Sequence, residues 1–451
     1  MLIEQRFDTG LGHASYLCAD PEAGVAFVVD PGRDVETYLA AAARLGVLIT
    51  HSFETHVHND YLSGSRALSE LRPVIIVAPR AAELRYPHHA VEDGATVRVG
   101  ELEVRALATP GHTPEHMAWL VADLRRADEP QYLFSGGALL VGHIARVDLL
   151  GPEMAERLTR EAFTTLRDRV LPLPDHLAVF PTHGGGSSCS GAVAGSRWTT
   201  LGFERRHNHV ARAALSDLAS FRQVISHELP AAPAYYPSVR ERNREGTGPA
   251  ARAPLRQLDE RALDDPALVL LDPRPPHLFG LGHRRGALNV VGNDSFASRV
   301  GATVPVGAPC VLLTGDSEQA ERLREQLAQI GYDDVHGYLA AAPDGGTLER
   351  IEQVEAGAAA ERVAAGDLVL DVREAAEWAG GHVPGAIHIP YPDLRRRMDE
   401  LPRDRPVLVY CASGVRSSLV ASLLSADDRA VRNLRGGFAA WQRAGLDVVS
   451  G

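Results

Sequence analysis

The stretch Cys411-Ala412-Ser413-Gly414-Val415-Arg416-Ser417 follows the apolar run Val407-Leu408-Val409-Tyr410. It leads into Ser418-Leu419-Val420-Ala421-Ser422-Leu423-Leu424. The apolar run reads as a buried strand and the later residues as the start of a helix. A cysteine placed between a strand end and a helix N-terminus sits among unpaired backbone N–H groups, at the positive end of the helix dipole. That setting favours thiolate over thiol and suits an anion such as a persulfide. Gly414 lets the loop turn tightly, and Arg416 adds a permanent positive charge. A single cysteine is more often a buried, inert residue, so the neighbouring sequence has to decide.

Upstream stand Leu370-Asp371-Val372-Arg373-Glu374, Glu377-Trp378 and Gly381-His382-Val383-Pro384-Gly385-Ala386. Downstream stand Gly436-Gly437-Phe438 and Trp441. With these flanks, Cys-x-x-Gly-x-Arg-Ser resembles the active loop of the rhodanese sulfurtransferases. The resemblance implies that Cys411 carries sulfane sulfur and that Arg416 helps hold it. Ala412, Ser413, Gly414, Val415 and Ser417 complete the cradle. Asp371, Arg373 and His382 read as braces of the domain. The phosphatases with a Cys-to-Arg loop are the alternative, but theirs has one more residue before the arginine.

The pattern occurs twice. Asp272-x-Arg274 and Gly282-His283-x-x-Gly286-Ala287 precede Asp371-x-Arg373 and Gly381-His382-x-x-Gly385-Ala386 by a constant 99 residues, with Phe279 in the place of Trp378. Residues 255–345 therefore read as a second rhodanese-type domain ahead of the one at 350–451. After its strand Val311-Leu312-Leu313-Thr314 come Gly315 and Asp316, where the other copy has Cys411 and Ala412. With no thiol there, this copy reads as inactive, and Cys310 as core. Residues 230 to about 255 are rich in Pro and Gly and read as a linker. A helical stretch from Arg205 to Leu229 precedes them.

In the first half, Thr55-His56-Val57-His58-Asn59-Asp60-Tyr61 alternates potential ligands, so an extended segment turns His56, His58 and Asp60 to one side. Thr109-Pro110-Gly111-His112-Thr113-Pro114-Glu115-His116 and Pro181-Thr182-His183-Gly184 each place a histidine after a strand. This order resembles the metallo-β-lactamase superfamily, an αββα sandwich. Within it, the likeness is to persulfide dioxygenases over residues 1–245, which implies one iron.

Two positions depart from that pattern. Tyr61 stands where the family has a second-metal histidine, and Gly137 stands where it has an aspartate ligand. Three outcomes stay open. His56, His58 and His112 bind iron, or zinc, as a three-histidine site. Asp60 or Asp148 replaces the missing carboxylate. Or the domain is a metal-free, persulfide-binding platform. Cys189, in Ser187-Ser188-Cys189-Ser190, reads as a small buried residue.

The 451 residues suffice for several cores. A net charge of -12 argues against nucleic acid or an anionic membrane as partner. No run of eighteen apolar residues suggests a membrane span. The start, Met1-Leu2-Ile3-Glu4-Gln5-Arg6, lacks a secretion-signal pattern, so a cytoplasmic protein is expected. The sequence has no lysine, which excludes Schiff-base chemistry. Cys18, Cys189, Cys310 and Cys411 have no zinc-knuckle or disulfide spacing.

The expected whole is a metallo-β-lactamase-type sandwich followed by two α/β domains with parallel sheets. It is read as a sulfurtransferase acting on small-molecule persulfide, thiosulfate or thiol substrates, and the resemblance implies a homo-oligomer. A persulfide carrier and a zinc thioester hydrolase are the alternatives.

Overall fold

A computed structural model describes residues 1–450, apart from 186, 188, 190–194, 226–231, 251–252, 264 and 342–347. The end of the expected helix near Leu229, and Pro230, Ala231, Ala251 and Arg252 of the expected linker, lie outside the described residues. The chain forms two compact units. One comprises Met1–Ala232 and Tyr236–Ala251, the other Pro233–Tyr235 and Arg252–Gly451.

The first unit packs two six-stranded sheets face to face. One runs in the order Leu2–Asp8, His13–Asp20, Val25–Val29, Leu48–Phe53, Ile75–Pro79, His89–Val91. The other runs Thr199–Thr200, Ala178–Pro181, Tyr132–Gly136, Met117–Asp123, Leu102–Ala108, Thr96–Val99. Alternation along each strand sorts its side chains between two cores. Phe27 and Val29 point between the sheets, where they join Tyr16, Phe53, Trp119 and Phe134. Their neighbours Ala26 and Val28 point outward, against Tyr38, Ala41 and Leu68 of two covering helices. A third core lies outside the other sheet, under Leu158, Leu166, Val210 and Phe221. Helices on both outer faces make the αββα sandwich. The segments bearing His56, His112 and His183 all lie beyond strand ends at one edge.

Two stretches differ from the sequence reading. The expected helix from Arg205 is three short helices: Leu201–His207, His209–Ser216 and Leu218–Ile225. Asn208 breaks the first from the second. It is extended, and its side chain accepts from the Val210 and Ala211 N–H groups, so a local cap wins over helix continuity. Within the expected linker, Tyr236–Glu245 is a helix. It carries few apolar residues and is held instead by polar contacts of Arg240 and Asn243, described below.

The second unit contains the repeat in three dimensions. A four-stranded sheet runs Leu288–Asn289, Val269–Asp272, Cys310–Leu313, Val335–Leu339. A five-stranded sheet runs Glu352–Val354, Val431–Leu434, Val407–Tyr410, Leu368–Asp371, Ile387–His388. Every pairing in both is parallel. In each copy the aspartate ending the second-named or fourth-named strand grips the arginine two residues on. Arg373 Nε lies 3.0 Å from both Asp371 oxygens and Arg373 Nη2 donates to the Gly381 carbonyl at 2.7 Å. Arg274 repeats this with Asp272 and Gly282. His382 stacks on Trp378 at 3.4 Å, and His283 on Phe279 at 3.8 Å. These residues brace the two copies alike.

Among the described residues no helix is long and apolar enough to cross a membrane.

Asp371→Ala leaves the Arg373 guanidinium buried at 4% side-chain exposure without its partner, a cost of about 3–5 kcal/mol. Asp272→Ala costs less, because Arg274 keeps 24% exposure and water can replace the carboxylate. Segment-resolved hydrogen exchange should show a larger loss of protection at 352–434 for the first variant than at 269–339 for the second.

Candidate functional site

Cys411 follows the strand Val407–Tyr410 and precedes the helix Val415–Ala426. Its Sγ receives the Gly414 N–H at 3.1 Å and the Ser417 hydroxyl at 3.5 Å. Both donors come from the turn that opens the helix, where N–H groups lack helical partners. Gly414 sits at φ +93°, in the left-handed region. The loop is tied from beneath: Phe438 and Ala439 N–H groups donate to the Cys411 and Ala412 carbonyls at 2.7 and 3.1 Å. Gly437, at φ +59°, lets the chain pass so closely that any Cβ there would run into the Cys411 carbonyl.

The helix is buried on every side from Ser417 to Leu424. One face covers its own sheet. Another meets the first copy: Ser418 Oγ donates to Asn289 Oδ1 at 2.5 Å, and the Asn289 N–H donates to Ser422 Oγ at 3.0 Å.

The Arg416 guanidinium forms a two-pronged pair with Glu377, at 2.7 Å for each bond. Burial works against its charge, while Glu377 and the field of Cys411 outweigh that and raise its pKa. Arg416 thus acts on Cys411 through its field, partly offset by Glu377. In the first copy, Gly315 occupies the corresponding place. Asp316 there caps the helix Ser317–Gln329, accepting the Glu318 N–H at 2.9 Å.

In the first unit, His56, His58, His112, His116 and His183 gather in one buried cluster. Ring centroids lie 4.2 Å apart for His56–His58, 4.8 Å for His56–His112, 5.0 Å for His56–His116, and 5.3 Å for His112–His183. Burial lowers His116 to about 3 and holds His56 and His112 well below the ordinary imidazole range.

Their hydrogen bonds assign the tautomers. Thr55 Oγ1 donates to Asp30 at 2.7 Å, so it accepts from His56 Nδ1 at 2.8 Å. His112 Nδ1 donates to the Arg146 carbonyl at 2.7 Å. His183 Nδ1 lies 3.3 Å from an Asp60 carboxylate oxygen. Burial alone would raise the Asp60 carboxyl, and His183 outweighs it. In the His56 and His112 rings Nδ1 carries the proton and Nε2 offers a lone pair, as metal ligands do. The His56 and His183 Nε2 atoms face each other at 3.4 Å, about the separation of two nitrogens each ~2.0–2.1 Å from one ion.

His58 also meets two carboxylates. Its Nε2 is 3.2 Å from Asp30 and 3.3 Å from Glu54. Burial would lower its pKa, but these carboxylates push it up to about 10. Its Nδ1 has no hydrogen-bond partner, and His58 stands with His56 and His183 in one cluster of potential ligand atoms. Asp60 faces His183, and Asp148 pairs with Arg146 at 2.6 Å. Tyr61 fills the lost histidine's position by stacking on His13 at 3.6 Å. His116 Nε2 accepts the Gly137 N–H at 2.8 Å.

The iron set implied by the resemblance, two histidines and a carboxylate, does not fit these residues. A Cβ at Gly137 would lie 2.7 Å from His112 Cδ2 and 2.9 Å from Ala145 Cβ, so the chain has closed over that place. Potential ligand atoms come together in two triplets that share His183, His56–His58–His183 and His112–His183–Cys189, each within 4.8 Å.

The sequence reading missed the second layer. Glu115 accepts the Val57 N–H at 3.1 Å and pairs with Arg240 at 3.0 Å. Asn243 donates to the His58 and Tyr61 carbonyls at 2.9 and 2.8 Å and accepts the Ser63 N–H at 2.9 Å. Glu115 lay within the quoted Gly-His-Thr-Pro-Glu-His motif. Arg240 and Asn243 carried no signal in a segment with linker composition.

Residues 355–444 match the rhodanese-like domain family. A sulfurtransferase of Allochromatium vinosum is 44% identical over 84 residues, covering 18% of this chain and 78% of that protein. The mitochondrial persulfide dioxygenase ETHE1 of Homo sapiens is 26% identical over 185 residues, covering 41% of this chain and 68% of that protein. A crystal structure described as a metallo-β-lactamase from Staphylococcus aureus superposes with a TM-score of 0.69 at 28% identity. It covers 76% of this chain and 99% of that one.

Asn243→Ala strips partners from three buried backbone groups around His58 and Tyr61. An expected cost of about 1–3 kcal/mol should appear in urea denaturation of the first unit, and faster hydrogen exchange should be confined to residues near 54–65.

Proposed function

We propose a sulfur-relay function for this chain, which belongs to the rhodanese-like sulfurtransferases through its C-terminal domain and carries a metallo-β-lactamase-fold, persulfide dioxygenase-like domain ahead of it. The observation that carries the proposal is the Cys411 sulfur receiving the Gly414 N–H and the Ser417 hydroxyl at a helix N-terminus.

The Cys411 thiolate attacks the outer sulfur of a small donor, thiosulfate or a low-molecular-weight persulfide. The donor's S–S bond breaks, and sulfite or a thiolate leaves with the bonding pair. The new Cys411 persulfide puts its terminal negative charge among the loop N–H groups. An acceptor nucleophile such as a thiol, sulfite or cyanide then takes the terminal sulfur, and Cys411 returns as thiolate. The Arg416–Glu377 pair keeps a guanidinium beside the loop while restraining its field. The first rhodanese-type copy, with Gly315 and a helix-capping Asp316, does no sulfur transfer and supports the helix behind Cys411.

The metallo-β-lactamase-fold domain binds a metal ion through neutral imidazoles, without the carboxylate-bearing iron set of a dioxygenase. It serves the relay as a persulfide-binding partner domain. Neither step at Cys411 requires it.

Cys411→Ser should reduce thiosulfate:cyanide transfer to background while segment-resolved hydrogen exchange stays unchanged; retained transfer would reject the site. Glu377→Gln releases the Arg416 charge and should lower KM for dianionic thiosulfate by up to about five-fold, equivalent to about 1 kcal/mol, with kcat little changed. With glutathione persulfide and sulfite, the full chain should form thiosulfate without oxygen uptake. Iron-dependent oxygen uptake would restore the dioxygenase reading of the first domain.

A further inference from the structure

The first domain lacks a carboxylate at Gly137, yet a thiol stands at the same cluster. The ligand atoms of His112, His183 and Cys189 lie within 4.8 Å of one another, all three residues buried. We propose that they form a nitrogen–nitrogen–sulfur site for a borderline-soft divalent cation of the zinc class, with Cys189 in the role that the missing carboxylate would have had. The proposal rests on the reading that this domain holds a metal.

Three observations support it. First, the His112 Nδ1 proton is directed to the Arg146 carbonyl, and His183 Nδ1 lies 3.3 Å from the Asp60 carboxylate. The His112 Nε2 lone pair is therefore left for a cation. His56 Nε2, facing His183 Nε2 at 3.4 Å, adds a further nitrogen beside them. A cation between them would be met by a nitrogen from each ring.

Second, Arg146 ties the thiol to the ring. Its carbonyl takes the His112 proton at 2.7 Å, and its N–H donates to the Cys189 carbonyl at 2.9 Å. One peptide segment thus fixes both donors. The Ser187 hydroxyl, accepting the Cys189 N–H at 3.1 Å, pins the turn from its other side.

Third, the donor types select the ion. Two imidazoles and a thiolate carry a single negative charge and suit zinc-class ions, whereas iron of the dioxygenase type wants a carboxylate. Burial holds the metal-free Cys189 thiol well above its usual pKa, and its proton faces the Tyr236 hydroxyl at 3.7 Å. Coordination would release that proton to solvent as the sulfur–metal bond forms, with no change of oxidation state.

The test uses the full chain with Cys411→Ser as background, so that the reactive-loop thiol cannot bind metal. Metal is removed with a chelator, and cobalt(II) is titrated in, followed by zinc(II) in competition. One cobalt per chain with an intense near-ultraviolet sulfur-to-cobalt charge-transfer band is expected. Cys189→Ser should lose the band and weaken binding by at least about ten-fold; Cys18→Ser should keep both.

One cobalt bound with no such band, or a band that survives Cys189→Ser, overturns the thiolate ligand while leaving a metal in the domain. His112→Ala and His183→Ala should then still abolish binding. If neither cobalt nor zinc binds, the metal reading falls together with the proposal. Because the band is read first on protein with Cys189 intact, a misfolded Cys189→Ser variant does not decide the outcome.

Discussion

The second unit depends on a helix that water does not reach. Residues Ser417–Leu424 are buried around the whole circumference, although surface helices normally keep one polar face. The serines resolve the contradiction. Ser417 turns its hydroxyl to the Cys411 sulfur, and Ser418 and Ser422 bond Asn289 of the first copy. Small polar side chains let a second domain close over the helix without stranding a polar group. The helix N-terminus then holds the loop N–H groups at fixed positions under the sulfur. Rigidity behind the loop is what gives a hydrogen-bonded sulfur a preorganised environment.

The same geometry shows what the first copy contributes. With Gly315 in the place of Cys411, it bonds two serines of the second copy's helix through Asn289. Asn289 also donates to the Arg274 carbonyl at 2.8 Å, and Arg274 is the brace of the first copy. The Asp272–Arg274 pair is thereby connected, through one side chain, to the helix that carries Cys411. Loss of the first copy would expose apolar and serine faces together and leave that helix half covered.

Some of this was legible in the sequence, and the division follows chain distance. The reactive loop, its flanking strand and helix, and the 99-residue repeat are local patterns, and spacing along the chain records them. The αββα order of the first unit was readable as strands followed by histidines, although the identity of the third nitrogen was not. His58 and His183 are both histidines beyond strand ends. Only the fold shows that Asp30, from a separate strand end, lies 3.2 Å from His58 Nε2. Arg416 likewise read only as a positive charge in the loop. Glu377, 39 residues upstream, claims it through a contact that spacing does not encode. Tyr236–Glu245 had linker composition because its stability lies in Arg240 and Asn243 reaching polar partners, not in an apolar stripe.

In the first unit the decisive constraint is charge. The carboxylates Asp30 and Glu54 both face His58, and Asp60 is set against His183. Around them burial keeps His13, His56, His112 and His116 neutral. A carboxylate restored at Gly137 would add a negative charge beside His112, in space that Ala145 and the His112 ring now fill. The cluster has therefore not merely lost a ligand; its packing has closed where that ligand would stand.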